Sequence, residues 1–539
     1  MQRQRLNRKY LPFVIGTLIW GITVLWVNFH GAQWYNFDMF ADASVAKRMA
    51  EQRTLFPKDW LFGNQYYIIA TPAVAALFNG ILHNSVFSMA CASSLMFLLI
   101  LLCFTWSFRP ILSKPALMVG LFCMAGATIL GDSITSSTYG FQILYTMASY
   151  YACYLLVILL HLGIWVRFEK DMLVSPLLIV AALAASFALG IQSQREMLAL
   201  CIPLLLITLI FWLRNRTDPG AKKGVVFAAA SLVANLIGLF CNGYIRQHQG
   251  SQYLSNVSSV DDAASGALGT RIAESGKAFL NLVGLRYLRY GWKWKLLAVL
   301  GVFLLFLALS ALVACLKKKD RMGLRTLLFC WTSLFGVFMA GVLVVQVRAI
   351  YYFVWYLLLP LSISFLLEHL TGRKKALLCA AALFCGAMNY FFNVYPDAAK
   401  YQAQKLFYSE IVSWLDENGI RTVYGDYQTP TIAACSEDRI AFCSVFPNKG
   451  ADSDEQSRLL IPYGSPVATE RYRDVNPEQS VLILSESPYD ELSGYRYLQN
   501  YMGEAYQSRF ENCFAREACF ESPQVTYYIY SFSEPDIIA

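Results

Sequence analysis

The 539 residues are 57% hydrophobic and only 15% charged, with a mean hydropathy of +0.43, which excludes an ordinary soluble chain. The formal charge of +8 is scattered in short clusters between apolar runs, which argues against a nucleic-acid partner. Small basic clusters alternating with grease are the signature of a polytopic α-helical membrane protein.

The chain opens with Arg3, Arg5, Arg8 and Lys9 before an apolar run at 10–29. The following "NFHGAQWY" has no A-x-A cleavage site, so the run reads as a retained first span. Further runs long enough to cross about 30 Å of hydrocarbon lie at 85–108, 115–131, 140–166, 173–191, 197–213, 224–243, 296–316, 322–345, 350–369 and 376–394. With about eleven crossings, the head and the clusters at 109–114, 167–171, 214–223, 317–321 and 372–375 all fall on one side. The positive-inside rule then puts the N-terminus inside and the C-terminus outside. Segment 66–83 tempts a further span, but Pro72 and Asn79 interrupt it, and counting it would invert every later loop. It is predicted to lie on the outer surface.

The outer side then holds 30–84, 244–295 and everything beyond 395. Composition changes there, so residues 1–395 are read as the membrane domain and 396–539 as an extracytoplasmic α/β domain. "SEIVSWLDENGI" predicts a helix ended by Gly419, and "YDELSGYRYLQNYM" another. "RTVYGDY", "IAFCSVF", "SVLILSES" and "QVTYYIYSF" predict strands. Ten of the fourteen cysteines sit in or at the ends of apolar runs, as small core hydrophobes. Cys435, Cys443, Cys513 and Cys519 lie in the outer domain, and their spacing favours disulfides 435–443 and 513–519 among three pairings. No C-x-x-C or His/Cys cluster supports zinc, and no P-loop or dinucleotide fingerprint is present.

Charges at the outer face need solvent, a partner or a task. Asp38 and Asp42, in "WYNFDMFADASVAKRM", are four apart and so share one helix face. They read either as caps of a short interfacial helix or as a base or metal ligand opening outward. Asp132 is the acid of a short outer loop, "GDSITSSTYG". Arg195 and Glu196, in "QSQREM", read as a local pair or as an arginine aimed at phosphate. Arg348 and the stretch "GLRYLRYGWKWK", with Arg286, Arg289 and Lys293 among tyrosines and tryptophans, form a basic interfacial belt suited to an anionic lipid head.

This layout resembles the GT-C superfamily of membrane glycosyltransferases, which includes protein O-mannosyltransferases and lipid A aminoarabinose transferases. The resemblance rests on "NFDMFAD" soon after the first span, on "ATPAVAALFNG" with its surface-helix proline Pro72, and on the second outer acid Asp132. Relatives often show an adjacent acidic pair and a proline doublet, where this chain has acids four apart and a single Pro72. The resemblance implies a transferase of the bacterial cytoplasmic membrane that acts on its outer face. Its donor is a polyprenyl-phosphate-linked sugar and its acceptor a glycan, lipid or protein hydroxyl. Asp38 is then the catalytic acid residue, with Asp42 and Asp132 as second acids. Arg195, Arg348, Arg286, Arg289 and Lys293 serve the donor phosphate. A divalent ion, Mg²⁺ or Mn²⁺, is compatible with a phosphate leaving group and falls to Asp38 and Asp132, although no ligand set requires one. The competing readings are an O-antigen ligase or polymerase, which the basic 244–295 loop favours, and a polyprenyl-lipid flippase or transporter, which the lack of an internal repeat disfavours.

Overall fold

The computed structural model describes residues 8–30, 37–58, 60–62, 65–130, 144–146, 151–248, 252–253, 268–285, 288, 291–343, 349–426, 428–452, 457–462, 475–488 and 493–533. In chain order, α1 (Leu11–His30) leads to α2 (Phe37–Gln52), the two-residue strand β1 (Leu61–Phe62) and α3 (Thr71–Leu82). Then come α4 (Ser85–Phe108), α5 (Lys114–Phe122), α6 (Ala152–Glu169), α7 (Pro176–Gln192), α8 (Ile202–Arg214) and α9 (Pro219–His248). Strand β2 (Gln252–Tyr253) precedes α10 (Leu268–Leu282), α11 (Trp292–Lys318), α12 (Arg321–Leu343), α13 (Trp355–His369) and α14 (Gly372–Asn389).

Among the described residues, nine helices are long and apolar enough to cross a membrane. Two further predicted crossings are shorter helices: α5, which continues through a π-turn to Ala127, and α7, of 17 residues. Gly126, at φ 150°, breaks the first of these in a conformation that suits glycine. The span expected from residue 140 is described as a helix only from Ala152. Helix α3 has 12 residues, about 18 Å at the helical rise, and Pro72 sits in its first turn. That length is too short for the hydrocarbon core.

The basic loops meet on one face of the bundle. Lys223 pairs with Asp171 at 3.2 Å, His369 with Asp320 at 3.1 Å, and the buried Arg325 with the buried Glu169. The Ser113 N–H donates to Glu368 at 2.6 Å, tying the 109–114 loop to the same face. Within the bundle, α7 and α9 approach closely because Gly190 and Gly238 carry no side chain there. A methyl group on Gly190 would strike the Asn235 carbonyl, and one on Gly238 the Phe187 carbonyl.

After α15 (Tyr395–Glu417), Gly419 takes φ 69° and turns the chain into a six-stranded sheet. It is built from β3 (Thr422–Gly425), β4 (Ala441–Pro447), β5 (Leu460–Pro462), β6 (Ser480–Glu486), β7 (Phe514–Glu521) and β8 (Thr526–Phe532), in the order β5-β4-β3-β6-β8-β7. The centre, β4-β3-β6, is parallel and both edges are antiparallel. Strand periodicity divides the side chains between two faces. Val423, Phe442, Val481, Ile483 and Ile529 pack with Ile411 and Leu415 of α15 and with Ile432 of α16 (Pro430–Cys435). Tyr424, Cys443, Leu482, Leu484 and Phe532 pack instead on Leu498 of α17 (Gly494–Tyr501) and Phe510 of α18 (Glu504–Cys513).

This arrangement corrects the expected disulfides. None of the fourteen cysteines is in a disulfide. Cys435 packs with the Val423 face while Cys443 packs with the Tyr424 face, so the sheet stands between them. Cys513 and Cys519 lie at opposite ends of an extended stretch, about 20 Å apart at the strand rise, far beyond bridging reach.

At the C-terminal end of β3, the buried carboxylate of Asp426 binds β6 and the start of α17 together. Its oxygens accept from the Ser485 N–H at 2.7 Å, the Ser485 hydroxyl at 2.8 Å, the Gly494 N–H at 2.8 Å and the Gln428 N–H at 2.9 Å. Burial pushes this carboxyl above its ordinary value, and the N–H donors pull against that. Two expectations follow for the purified protein in detergent. Gly238→Val should lower the thermal midpoint through overpacking, at a cost of about 1–3 kcal/mol. Asp426→Asn should cost about 1–3 kcal/mol, because an amide NH₂ would face N–H donors. An Asp426→Asn protein that melts with the parent would remove the structural role given to that carboxylate.

Candidate active site

The site region lies on the face opposite the basic loops, where α1 ends and α2 lies. The sequence suggested a short interfacial helix here, yet α2 is 16 residues long and largely buried. Met39, Ala43, Val45, Ala46 and Met49 pack into one cluster with Phe62 and Tyr66, with Ala75 of α3 and Met89 of α4, and with the sheet. Phe40 meets Phe442 of β4 edge to face at 5.4 Å. Asp438, from the turn before β4, accepts the Ser85 N–H at 2.6 Å and the Ser85 hydroxyl at 2.7 Å, capping α4 from the sheet domain. Lys47 of α2 stands 3.8 Å from the same carboxylate. The helix that carries the candidate acids is therefore clamped between the bundle and the C-terminal sheet.

Asp38 is the second residue of α2, and Asp42 lies one turn on, buried at 1% exposure. The α-helical backbone puts both on one face. The backbone of Asp38 is described, but its side chain is not. The same holds for Lys293, in the first turn of α11, while Asp132, Arg286, Arg289 and Arg348 lie outside the described residues. The structure thus brings Asp38 and Asp42 together on α2.

Arg195 sits where α7 ends and the next helical segment begins, on the same face. Its guanidinium donates to the Gln65 side-chain carbonyl and lies 5.6 Å from the Tyr151 ring and 5.7 Å from the Tyr351 ring. Gln65 also accepts from the Tyr154 hydroxyl at 3.2 Å, which shares a hydrogen bond with Ser193 at 2.7 Å. Gln192 donates to that Tyr154 hydroxyl at 3.2 Å. The Gln192 side chain accepts the Ile68 N–H at 3.2 Å and its backbone carbonyl accepts the Tyr66 N–H at 3.1 Å, so the irregular 65–68 segment is stitched to the end of α7. Among the described residues Arg195 has no carboxylate partner. Its fork is held by a neutral amide and two aromatic faces, leaving donors to spare for an anion.

The local Arg195–Glu196 pair weighed from the sequence is not formed. Glu196 turns into the bundle, buried at 1% exposure, and accepts from the Ser186 hydroxyl at 2.7 Å and from Asn235 at 2.8 Å. Ser186 also lies 3.0 Å from His161 Nε2, whose Nδ1 faces the Val157 carbonyl at 2.9 Å. If Ser186 donates to an ionised Glu196, both ring nitrogens of His161 must donate and the ring is cationic. If Glu196 is protonated and donates, Ser186 passes its hydrogen to a neutral ring. Either arrangement leaves the trio with no net charge, which a low-dielectric surround demands.

Sequence reasoning singled out Arg195 but missed Gln65, Gln192, Tyr151, Tyr154 and Tyr351. The available signal was the clustering of amides and tyrosines at the ends of apolar runs, as in "IQSQREM". It also missed Asp438, whose role depends on a contact spanning 353 residues.

The two long outer stretches expected from the sequence also meet: β1 and β2 pair in parallel, Leu61 opposite Gln252 and Phe62 opposite Tyr253.

No protein-family model and no curated protein matches the sequence. Solved structures do match its shape. ArnT from Cupriavidus metallidurans in the apo state aligns with a TM-score of 0.52 at 10% identity, over 96% of this chain and 98% of that one. The same protein bound to undecaprenyl phosphate aligns with a TM-score of 0.52 at 11% identity, over 96% and 97%. The Archaeoglobus fulgidus oligosaccharyltransferase aligns at a TM-score of 0.44 and 12% identity, over 98% of this chain and 73% of that one. Over nearly its whole length, helical bundle and C-terminal sheet together, the chain shares the fold of ArnT.

Proposed function

We propose that this protein is a membrane glycosyltransferase that moves a sugar from a polyprenyl-phosphate donor to an acceptor hydroxyl at the outer face. The observation that carries the reading is Arg195, a guanidinium without a carboxylate partner among the described residues, on the face opposite the basic loops and in an ArnT-like fold. The positive-inside rule applied to the basic loops supports reading that opposite face as the outer one.

In the proposed reaction the acceptor oxygen attacks the anomeric carbon while the bond from that carbon to the phosphate oxygen breaks. Polyprenyl phosphate leaves with the bonding electron pair, and the hydroxyl proton passes to a carboxylate. Asp38 is assigned that base, presented on the clamped helix α2, with Asp42 one turn away and Asp132 as a further acid. Arg195 neutralises the charge developing on the leaving phosphate, with Arg348, Arg286, Arg289 and Lys293 assigned to the same anion. A divalent ion, if the reaction uses one, falls to Asp38 and Asp132. Residues 396–539 are assigned to a separate domain that steadies α2 from outside the bundle.

Glycan analysis of a deletion strain against its parent tests the activity, and complementation tests the residues. Asp38→Asn should fail to restore the missing modification at normal expression, and Asp42→Asn should restore more of it. Full restoration by Asp38→Asn would remove the catalytic assignment. For the donor site, undecaprenyl phosphate serves as the probe. Arg195→Gln should weaken its binding about ten- to a hundredfold, the loss of one charge-assisted contact of about 1.5–3 kcal/mol. Gln65→Ala should shift binding less, since it only loosens the arginine. Unchanged affinity in Arg195→Gln would move the phosphate role to the 244–295 loop.

A further inference from the structure

Far from this site, on the basic face, three side chains of metal-ligating type converge where α11, α12 and α13 meet. Cys315 lies in the last turn of α11, Asp320 in the two-residue connection to α12, and His369 at the end of α13. Their ligand atoms all lie within 4.8 Å of one another. Cys315 Sγ is 3.7 Å from His369 Nε2, and His369 Nε2 is 3.1 Å from Asp320 Oδ2.

We propose that Cys315, Asp320 and His369 form a site for a divalent transition ion of the zinc class, which staples the three helix ends. The distances match the chemistry. Zn–S bonds of about 2.3 Å and Zn–N or Zn–O bonds of about 2.0 Å, set at tetrahedral angles, give S···N edges near ~3.5 Å and N···O edges near ~3.3 Å. The observed 3.7 and 3.1 Å are close to both. A thiolate and an imidazole select such an ion over magnesium or calcium. One thiolate and one carboxylate also neutralise its charge at the membrane edge. The fourth position remains for water, reached past the partly exposed Asp320 and His369, while Cys315 is fully buried.

The backbone is built to hold the three together. Lys319 takes the left-handed conformation, φ 55°, and the Asp320 N–H donates to the Cys315 carbonyl at 2.9 Å, folding the connection back over the cysteine. Asp320 Oδ1 accepts the Gly323 N–H at 2.9 Å, which leaves Oδ2 to face His369. A methyl on Gly323 would stand 2.5 Å from Asp320 Oδ2 and 2.9 Å from Cys315 Sγ, so the glycine keeps open the space the ligands share. On the orientation the basic loops favour, this face is cytosolic, where a thiol stays reduced.

The test uses the full chain in detergent, stripped with a chelator and titrated with Co²⁺. One ion per chain should produce a thiolate-to-cobalt charge-transfer band and tetrahedral visible bands, both displaced by Zn²⁺. Cys315→Ser should lose the charge-transfer band and bind cobalt at least a hundredfold more weakly. His369→Ala should weaken binding and keep that band at saturating cobalt. Zn²⁺ should raise the melting midpoint of the parent and leave that of Cys315→Ser unmoved, which separates metal loss from misfolding. A parent chain without a charge-transfer band at stoichiometric cobalt, or a Cys315→Ser chain that keeps it, would overturn the site. The readout is independent of sugar transfer.

Discussion

The burial of α2 between bundle and sheet is the constraint on which the rest of the candidate site depends. A segment with two aspartates, a lysine and an arginine has little reason of its own to leave water. It is held by apolar contacts on several sides, with Met39, Phe40, Val45 and Met49 each removed from solvent. Burial of one such side chain contributes about 1.5–3 kcal/mol. The polar clamp at Asp438 then fixes direction rather than supplying the bulk of the energy, because it joins the N-terminus of α4, Lys47 and the turn before β4 at a single carboxylate. A side chain on a helix pinned from two sides is better placed for chemistry than one on a free loop.

The bundle keeps its two faces chemically distinct. One face carries ion pairs between helix ends, including the buried Glu169–Arg325 pair that links α6 to α12. The other collects neutral hydrogen-bonding groups around Arg195. Between the faces, Glu196 is satisfied by Ser186 and Asn235, and Asn235 also donates to the Ser186 carbonyl at 3.1 Å. Adjacent residues therefore serve opposite ends of the design: Glu196 anchors the turn from within the bundle, and Arg195 faces the Gln65 side.

Much of this could be read from the residues alone. The apolar runs located the helices, Pro72 and Asn79 marked a segment too short to cross, and period-two apolar stretches located β3, β4, β6 and β8. Strand β7 escaped because "FAREACFE" is an edge strand with mostly solvent-facing, charged residues. The disulfides were misjudged because sequence spacing says nothing about which face of a sheet a cysteine takes. Nor does spacing reveal that Cys315 and His369 meet, since 54 residues and an entire intervening helix separate them. The candidate acid was legible as a position on a helix. The clamp that makes that helix rigid was not, because its contacts come from the far end of the chain.

The neutral setting of Arg195 has a consequence for recognition. An arginine already in an ion pair must surrender one anion to accept another, so its gain is only the difference between two attractions. Here the partner to be displaced is an amide oxygen, and under the proposed function a phosphate would meet a guanidinium whose charge no described carboxylate compensates. Such a site discriminates by charge before it discriminates by shape. A neutral alcohol of the same chain length offers nothing that Gln65 does not already provide.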